Sequence, residues 1–249
     1  MAKVDGIVEI QGTVKGITFY RTKYGMYARA KGGISKHRIK NDPAFERTRE
    51  NCAEFGHNAK MGKLVRNAVS NLLLLAKDSR VSSRLAQTMG RIKNLDLVSV
   101  RGQRRVGIGI QGIDGKRILK GFDFNIASPM QAVFRGLLDL DPVTGVVVLA
   151  DFNPAFHLAV PEGATHASLS TAVSLIDFEE GIYHSCFSNT ENFGIATATA
   201  SYTFIPSEFS TGDGISIYFF LIEFFQEING VQYSLKNNSY NVLSILEVG

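Results

Sequence analysis

The chain has 249 residues, of which 45% are hydrophobic and 20% charged, an ordinary globular composition with length enough for a sizeable core. Its longest apolar runs, Leu72–Ala76 and Ile215–Ile222 (interrupted by Ser216), fall far short of the roughly 20 residues that cross a bilayer. The formal net charge of +4 conceals a division: up to Arg135 there are 26 Lys and Arg against 10 Asp and Glu, and beyond it Lys236 alone against 13 acids, so the two parts carry +16 and −12.

Opposite fields at the two ends of one chain steer association, either between copies or between the basic part and a polyanion. The opening MAKVDGIVEIQG lacks the basic start and apolar core of a secretory signal, so we expect a cytoplasmic protein, or one that becomes part of a released particle or filament. Cys52 and Cys186 are too few for a disulfide framework and read as small buried hydrophobes in a reducing compartment.

In chain order, Val8–Ile10, Val14–Tyr20 and Met26–Ala30 alternate apolar with polar and are rich in β-branched and aromatic residues, which is strand chemistry. Thr22-Lys23-Tyr24-Gly25 reads as the hairpin turn between two of them. Such a hairpin is barely stable alone and needs a surface to lie on. Gly32–Lys40, rich in glycine and cations, reads as an exposed joint.

Asn41-Asp42-Pro43 is a helix start, a capping side chain followed by proline. Phe45, Cys52, Phe55, Ala59, Leu64, Val65, Ala68, Val69, Leu72 and Leu75 then recur near helical spacing. Gly56 and Gly62 weaken this helix or admit a close neighbour. Ser79 or Ser82 would cap a second helix, about residues 81–94, with Val81, Leu85, Met89 and Ile92 on one face.

From Leu97 the pattern changes to short runs between turns: RRVGIGIQG, RILKGFDFN, QAVFRGLL, GVVVLAD, AFHLAV, HASLSTAVSLIDF, GIYHSCFS, IATATASYTFI, ISIYFFLIEFFQE, VQYSL and NVLSILEV. Read as strands, they predict an antiparallel β-sandwich. Asp114-Gly115, Asp139–Pro142, Thr144-Gly145, Glu180-Gly181, Thr211–Gly214 and Asn229-Gly230 supply turns, Asn229-Gly230 the most secure of them. The expected fold class is α+β, in three segments: a β-hairpin arm and joint over 1–40, a helical hairpin and connecting strand over 41–116, and an acidic sandwich over 117–249.

Signals for chemistry are weak. Gly107-Ile108-Gly109-Ile110-Gln111-Gly112 has the spacing G-x-G-x-x-G, but nucleotide binding needs a strand before it and a helix opening at its last glycine. The following IDGKRIL reads as a turn and strand, so this is a glycine-rich strand near another backbone. The five histidines show no ligand spacing, although His157, His166 and Asp151 could meet across a sheet. Neither cysteine has an activating motif, and no nucleophile elbow or phosphate loop occurs. No catalytic residue, cofactor or metal is expected.

The basic segments say more. Tyr20, Tyr24 and Tyr27 stand among Arg21, Lys23 and Arg29, and Arg47 and Arg49 lie behind the joint. Interleaved tyrosine and arginine can stack on bases and contact phosphates, or form a protein interface.

The runs GTVKGITFYRTK (Gly12–Lys23), Ala30–Gly33, Asn41–Phe45, Arg47–Asn51, Glu54-Phe55-Gly56, Ser79-Arg80-Val81, Arg101–Arg104, GFDFN (Gly121–Asn125), Ile176–Phe178, Phe225–Gly230 and Leu235–Asn237 resemble a family of uncharacterised proteins common in Bacteroidota. The resemblance covers nearly the whole chain. It implies a bacterial origin and a shared two-part architecture, and brings no activity or cofactor.

The expected function is a non-enzymatic structural protein that joins copies head to tail into a filament, tube or shell, a phage-like particle being one such setting. Phe19, Tyr20, Arg21, Tyr24, Tyr27 and Arg29 of the arm, with Arg47 and Arg49, would dock near Asp139, Asp141, Glu179 and Glu180 of the next copy. The alternatives are nucleic-acid binding through the basic half, and ligand binding by the loops of the sandwich.

Overall fold

A computed structural model describes residues 2–3, 10–208 and 212–249. Val8 and Glu9 of the first expected strand, and Thr211 of one expected turn, lie outside the described residues. The fold is α+β with antiparallel sheets, and the chain divides into two compact units, Met1–Arg49 and Glu50–Gly249.

The first unit is a four-stranded antiparallel sheet followed by short helical turns. Its strands are β1 (Ala2–Lys3), β2 (Gly12–Val14), β3 (Ile17–Thr22) and β4 (Gly25–Ala30), in the order β1-β4-β3-β2. The expected strand Val14–Tyr20 is broken in two. Lys15 and Gly16 both take positive φ, 45° and 84°, the geometry of a two-residue turn that matches strand twist. The turn at Lys23-Tyr24 forms as expected, with Gly25 at φ 120°. Part of the expected joint is instead a helix, α1 (Lys36–Asn41), because Ser35 accepts from the Arg38 N–H at 3.2 Å and caps it. Asp42 then caps the 3₁₀ turn Pro43–Phe45 that leads into α2 (Glu46–Ala68).

The second unit has a helical layer: α2, α3 (Ser70–Leu75), α4 (Val81–Lys93), α5 (Val106–Gly109), α6 (Ile113–Leu119) and α7 (Met130–Val133). Two antiparallel sheets follow. One is small, of β5 (Asp139–Leu140), β6 (Val147–Phe152) and β9 (Ala200–Phe204), with the turn α8 (Pro154–His157) after β6. The larger contains β7 (His166–Asp177), β8 (Ile182–Gly194), β10 (Ile215–Ile228), β11 (Val231–Ser234) and β12 (Val242–Val248). Within it, β10 pairs β7 along one edge and β11 and β12 along the other. Asn229 and Gly230, at φ 53° and 78°, make the expected hairpin between β10 and β11.

The continuous apolar run of β10 follows from burial on both faces. Ile217, Phe219 and Leu221 pack with Leu85, Met89 and Ile92 of α4 and with Val65 and Val69 in one core. Phe220, Ile222 and Phe224 point the other way, into a second core with Leu149, Phe152 and Phe204 of the small sheet.

Four expected strands are helical in part, and two of these runs still pair, Phe134 with Leu158, in an isolated antiparallel bridge. Residues of RRVGIGIQG form α5, those of RILKGFDFN begin in α6, QAVFRGLL contains α7, and AFHLAV contains α8. Their apolar residues lie next to long buried strands, and tertiary packing overrides their local strand propensity. Within GFDFN, the Gly121 and Phe124 N–H groups donate to the Ile245 and Leu243 carbonyls, at 2.8 Å each, so this segment lies along β12.

The glycine motif likewise departs from expectation. A helix, α6, does open at Gly112, yet α5 rather than a strand precedes it, so the dinucleotide arrangement is absent. These glycines serve close packing. A Cβ on Gly109 would stand 2.1 Å from the Ile92 carbonyl oxygen, and one on Gly115 would stand 2.1 Å from that of Gly109. Gly62 faces α4 less tightly, the Ala86 nitrogen standing 3.4 Å from its Cβ position, an ordinary contact distance.

The helical pattern held for α4, where Val81, Leu85, Met89 and Ile92 are all buried. Its entry is held by Asp78, which accepts from the Arg80 N–H, rather than by Ser79 or Ser82. In α2 and α3 the expected stripe is buried at Leu64, Val65, Ala68, Val69 and Leu72, but its first half is turned. Phe55 is 69% exposed, Cys52 and Ala59 are exposed, and Glu54 and Asn58 face inward.

Substitution of Gly109 or Gly115 by alanine is expected to cost at least ~1–3 kcal/mol, since backbone must move to admit the methyl group. Gly56→Ala has open space around it and should stabilise by about 0.5–1 kcal/mol through helix propensity. Urea melts of the three variants check both signs.

Candidate interaction surfaces

In the first unit, strand alternation sorts the residues expected at an interface onto two faces. Tyr20 pairs with Tyr27 and Thr18 with Arg29, so Tyr20, Tyr27 and Arg29 share one face. There the two tyrosine rings stack at 6.2 Å between centroids, and the Arg29 guanidinium lies 5.5 Å from the Tyr20 centroid. Thr13 and Thr18 hydrogen-bond at 2.9 Å beside them. Phe19 and Arg21 belong to the opposite face, with Val14, Ile17, Met26 and Ala28. Tyr24, at the turn, is 71% exposed under the Lys23 ammonium.

The two arginines behind the joint differ. Arg47 is exposed. Arg49 turns inward and donates from Nη1 to the Ile39 and Asp42 carbonyls, at 2.9 Å each, so it ties α1 to the turn that starts α2.

Of the four acids, Asp139 lies in β5 and the other three occupy two turns. Asp139 opens the β5–β6 hairpin, and Asp141 closes on itself within it. Its carboxylate accepts from the Val143 N–H at 2.9 Å and the Thr144 hydroxyl at 2.6 Å, and the hydroxyl bond holds its pKa below the usual value. Glu179 and Glu180 sit in the β7–β8 turn, their N–H groups donating to Asp177 Oδ1 and their side chains exposed. His157 and His166 do not meet: His157 accepts from the Asn153 N–H, and His166 faces Glu227 at 3.4 Å.

Sequence periodicity missed the polar centre of the helical layer. Glu54, 5% exposed, accepts from the Gly102 N–H and Arg104 Nε at 2.8 Å each through Oε1. Its Oε2 accepts from Arg104 Nη2 at 2.9 Å and from the buried Lys93. The bidentate arginine outweighs burial and, with Lys93, holds the Glu54 carboxyl at about 2. With both oxygens engaged, this carboxylate is a fastening rather than a proton carrier. The sequence carries only a faint signal for it, two acids, Glu50 and Glu54, among the five cations of residues 47–66.

Asp96, 2% exposed, fastens the next loop. Burial alone would raise its pKa, but hydrogen bonds from the Ser99, Arg105 and Val98 N–H groups hold it at about 2. The loop so pinned exposes Leu97, Val98 and Val100, at 91%, 84% and 65%. An apolar projection on a fixed loop is a protein-contact feature that the sequence reading did not single out.

Among the described residues, no group of three or more His, Cys, Asp or Glu stands where it could hold a metal ion, and no helix is long and apolar enough to cross a membrane.

Replacing Glu54 by glutamine strands Lys93 and Arg104 and should cost about 3–5 kcal/mol, with the double variant E54Q/K93M recovering part of that loss. Because Glu54 titrates lower in the folded state than unfolded, its contribution is whole above about pH 4.5 and is lost as pH falls toward 2. Chemical denaturation at pH 7 and pH 3 measures both effects, the E54Q variant losing less on acidification.

Compared with protein-family models, with curated proteins and with solved structures, the chain matches none.

Proposed function

We propose that this protein is a non-enzymatic structural subunit that joins copies of itself. The basic N-terminal sheet of one copy docks on the acidic two-sheet portion, serving as a sandwich, of the next. The observation that carries this reading is a sheet without a core. Among described residues 10–49, Met26 is the one buried hydrophobic side chain, while Ile10, Val14 and Ile17 are 44–51% exposed. A sheet whose described residues bury so little gains from covering its apolar face with another chain.

Charge supports the same partner. Residues 10–49 hold ten Lys and Arg against Asp42 and Glu46, and the chain beyond Arg135 is acidic. A contact between two different surfaces is heterologous, and it closes into a ring or propagates as a filament or tube. The face bearing Phe19 and Ile17 supplies the apolar part of the docking, and Arg21, Lys23 and Arg29 supply the steering. Nucleic-acid binding is the weaker reading, since the Tyr20 ring is already stacked on Tyr27 and covered by Arg29.

Light scattering and negative-stain microscopy of the purified protein, at rising concentration and at low and high salt, test the proposal. Ordered polymers or rings that dissociate as salt rises are expected, and Phe19→Ala should weaken assembly by roughly tenfold or more. A monodisperse monomer at every concentration and salt overturns it. Retarded DNA or RNA in a gel, relieved steeply by salt, would favour the nucleic-acid reading instead.

A further inference from the structure

Beside the Glu54 fastening, α2, the loop at residues 102–105 and the β7–β8 turn enclose a cleft of about 330 Å³. Three of its lining groups are hydrogen-bond donors for which the described residues supply no acceptor. Lys60 and Arg105 have no ion-pair partner among the described residues, whereas Arg104 next to them is committed to Glu54. His57 accepts from the Val106 N–H through Nε2 at 3.0 Å, so in the neutral ring Nδ1 carries the hydrogen, with no acceptor among the described residues. Burial first, then the charges of Arg105 and Lys60, hold the His57 pKa below its ordinary value.

The carboxylates nearby do not neutralise this arrangement. Glu54 is overmatched by Arg104 and Lys93 together, and it acts on His57 more weakly than Arg105 or Lys60 does. Asp96 spends both oxygens on backbone N–H groups. Glu179 lines the cleft without pairing to either cation. Two cations without an ion-pair partner among the described residues and a neutral imidazole N–H border one cleft, and their donors are available to an entering anion.

We propose that this cleft binds a phosphoryl group. A guanidinium fork, an ammonium and an imidazole N–H offer donors to a tetrahedral anion with three peripheral oxygens, more than a carboxylate can use. The Gln103 amide, on the same wall, supplies a further donor. The cleft borders the acidic surface assigned to self-association at Glu179, but its donors, Lys60, Arg105 and His57, are not among the residues assigned to that surface, so the proposal does not rest on it.

The test follows the His57 ring resonances by NMR as orthophosphate, adenosine monophosphate or acetate is added at constant ionic strength. Phosphate should move those resonances saturably and raise the His57 titration midpoint by about one pH unit, because an anion beside the ring favours its charged form. Arg105→Ala and Lys60→Ala alter lining side chains outside the core and should each weaken phosphate binding roughly ten- to a hundredfold. Glu179→Gln should strengthen it. Tighter binding of the nucleotide than of orthophosphate identifies a phosphate ester as the ligand, and equal binding identifies free phosphate. His57 resonances unmoved by tens of millimolar phosphate, or moved equally by acetate, overturn the proposal, as does phosphate affinity unchanged in both cation variants.

Discussion

Burial of β10 on both faces is the constraint on which the larger unit depends. A strand whose alternate side chains are all apolar cannot present either face to water, so each must be covered by a separate layer. The helices cover Ile217, Phe219 and Leu221, and the small sheet covers Phe220, Ile222 and Phe224. The same strand pairs β7 on one edge and β11 and β12 on the other. The segment around Phe122–Phe124 then lies along β12, which leaves less of that edge free to pair with another chain. Several of the acids in this part are consequently found in turns, as at Asp141 and at Glu179 and Glu180, where water reaches them.

Polarity in the helical layer is handled by pairing rather than by exposure. Glu54 gathers Lys93 and Arg104, Asp78 takes Arg84, and Lys120 reaches Glu247 on β12. The last pair joins the basic part of the chain to the acidic part within one copy. Formal charge counted along the sequence therefore overstates the cations available to a partner from residues 50–135. Lys60 and Arg105, like Lys63 and Arg91, have no ion-pair partner among the described residues; they differ in lining one cleft together with His57.

The first unit relies on a different balance. Its turns are strongly specified, by Lys15-Gly16 and by Lys23-Tyr24 before Gly25, so its register is definite. Its side chains bury little. A sheet with definite register whose described residues bury little suits docking, since its apolar face gains most from being covered. Alternation also divides its work: Phe19 and Arg21 can serve a contact on one face, and Tyr20, Tyr27 and Arg29 one on the other.

Periodicity and turn chemistry in the sequence by themselves determined the long strands β7, β8, β10 and β12, the helix α4, the hairpins at Lys23-Tyr24 and Asn229-Gly230, and the α+β class. Each rests on a long run or on a turn residue whose conformational demand is local. Tertiary structure alone decided the rest. Short apolar runs such as VGIG and RIL carry too little period to choose helix over strand, and packing beside β10 and β12 made that choice. In α2, a strict 3.6-residue pattern placed Phe55 inside. Arg104, Lys93 and the Gly102 N–H, all distant in sequence, supply partners that draw Glu54 in and leave Phe55 in water, because a carboxylate can be buried only where donors converge on it.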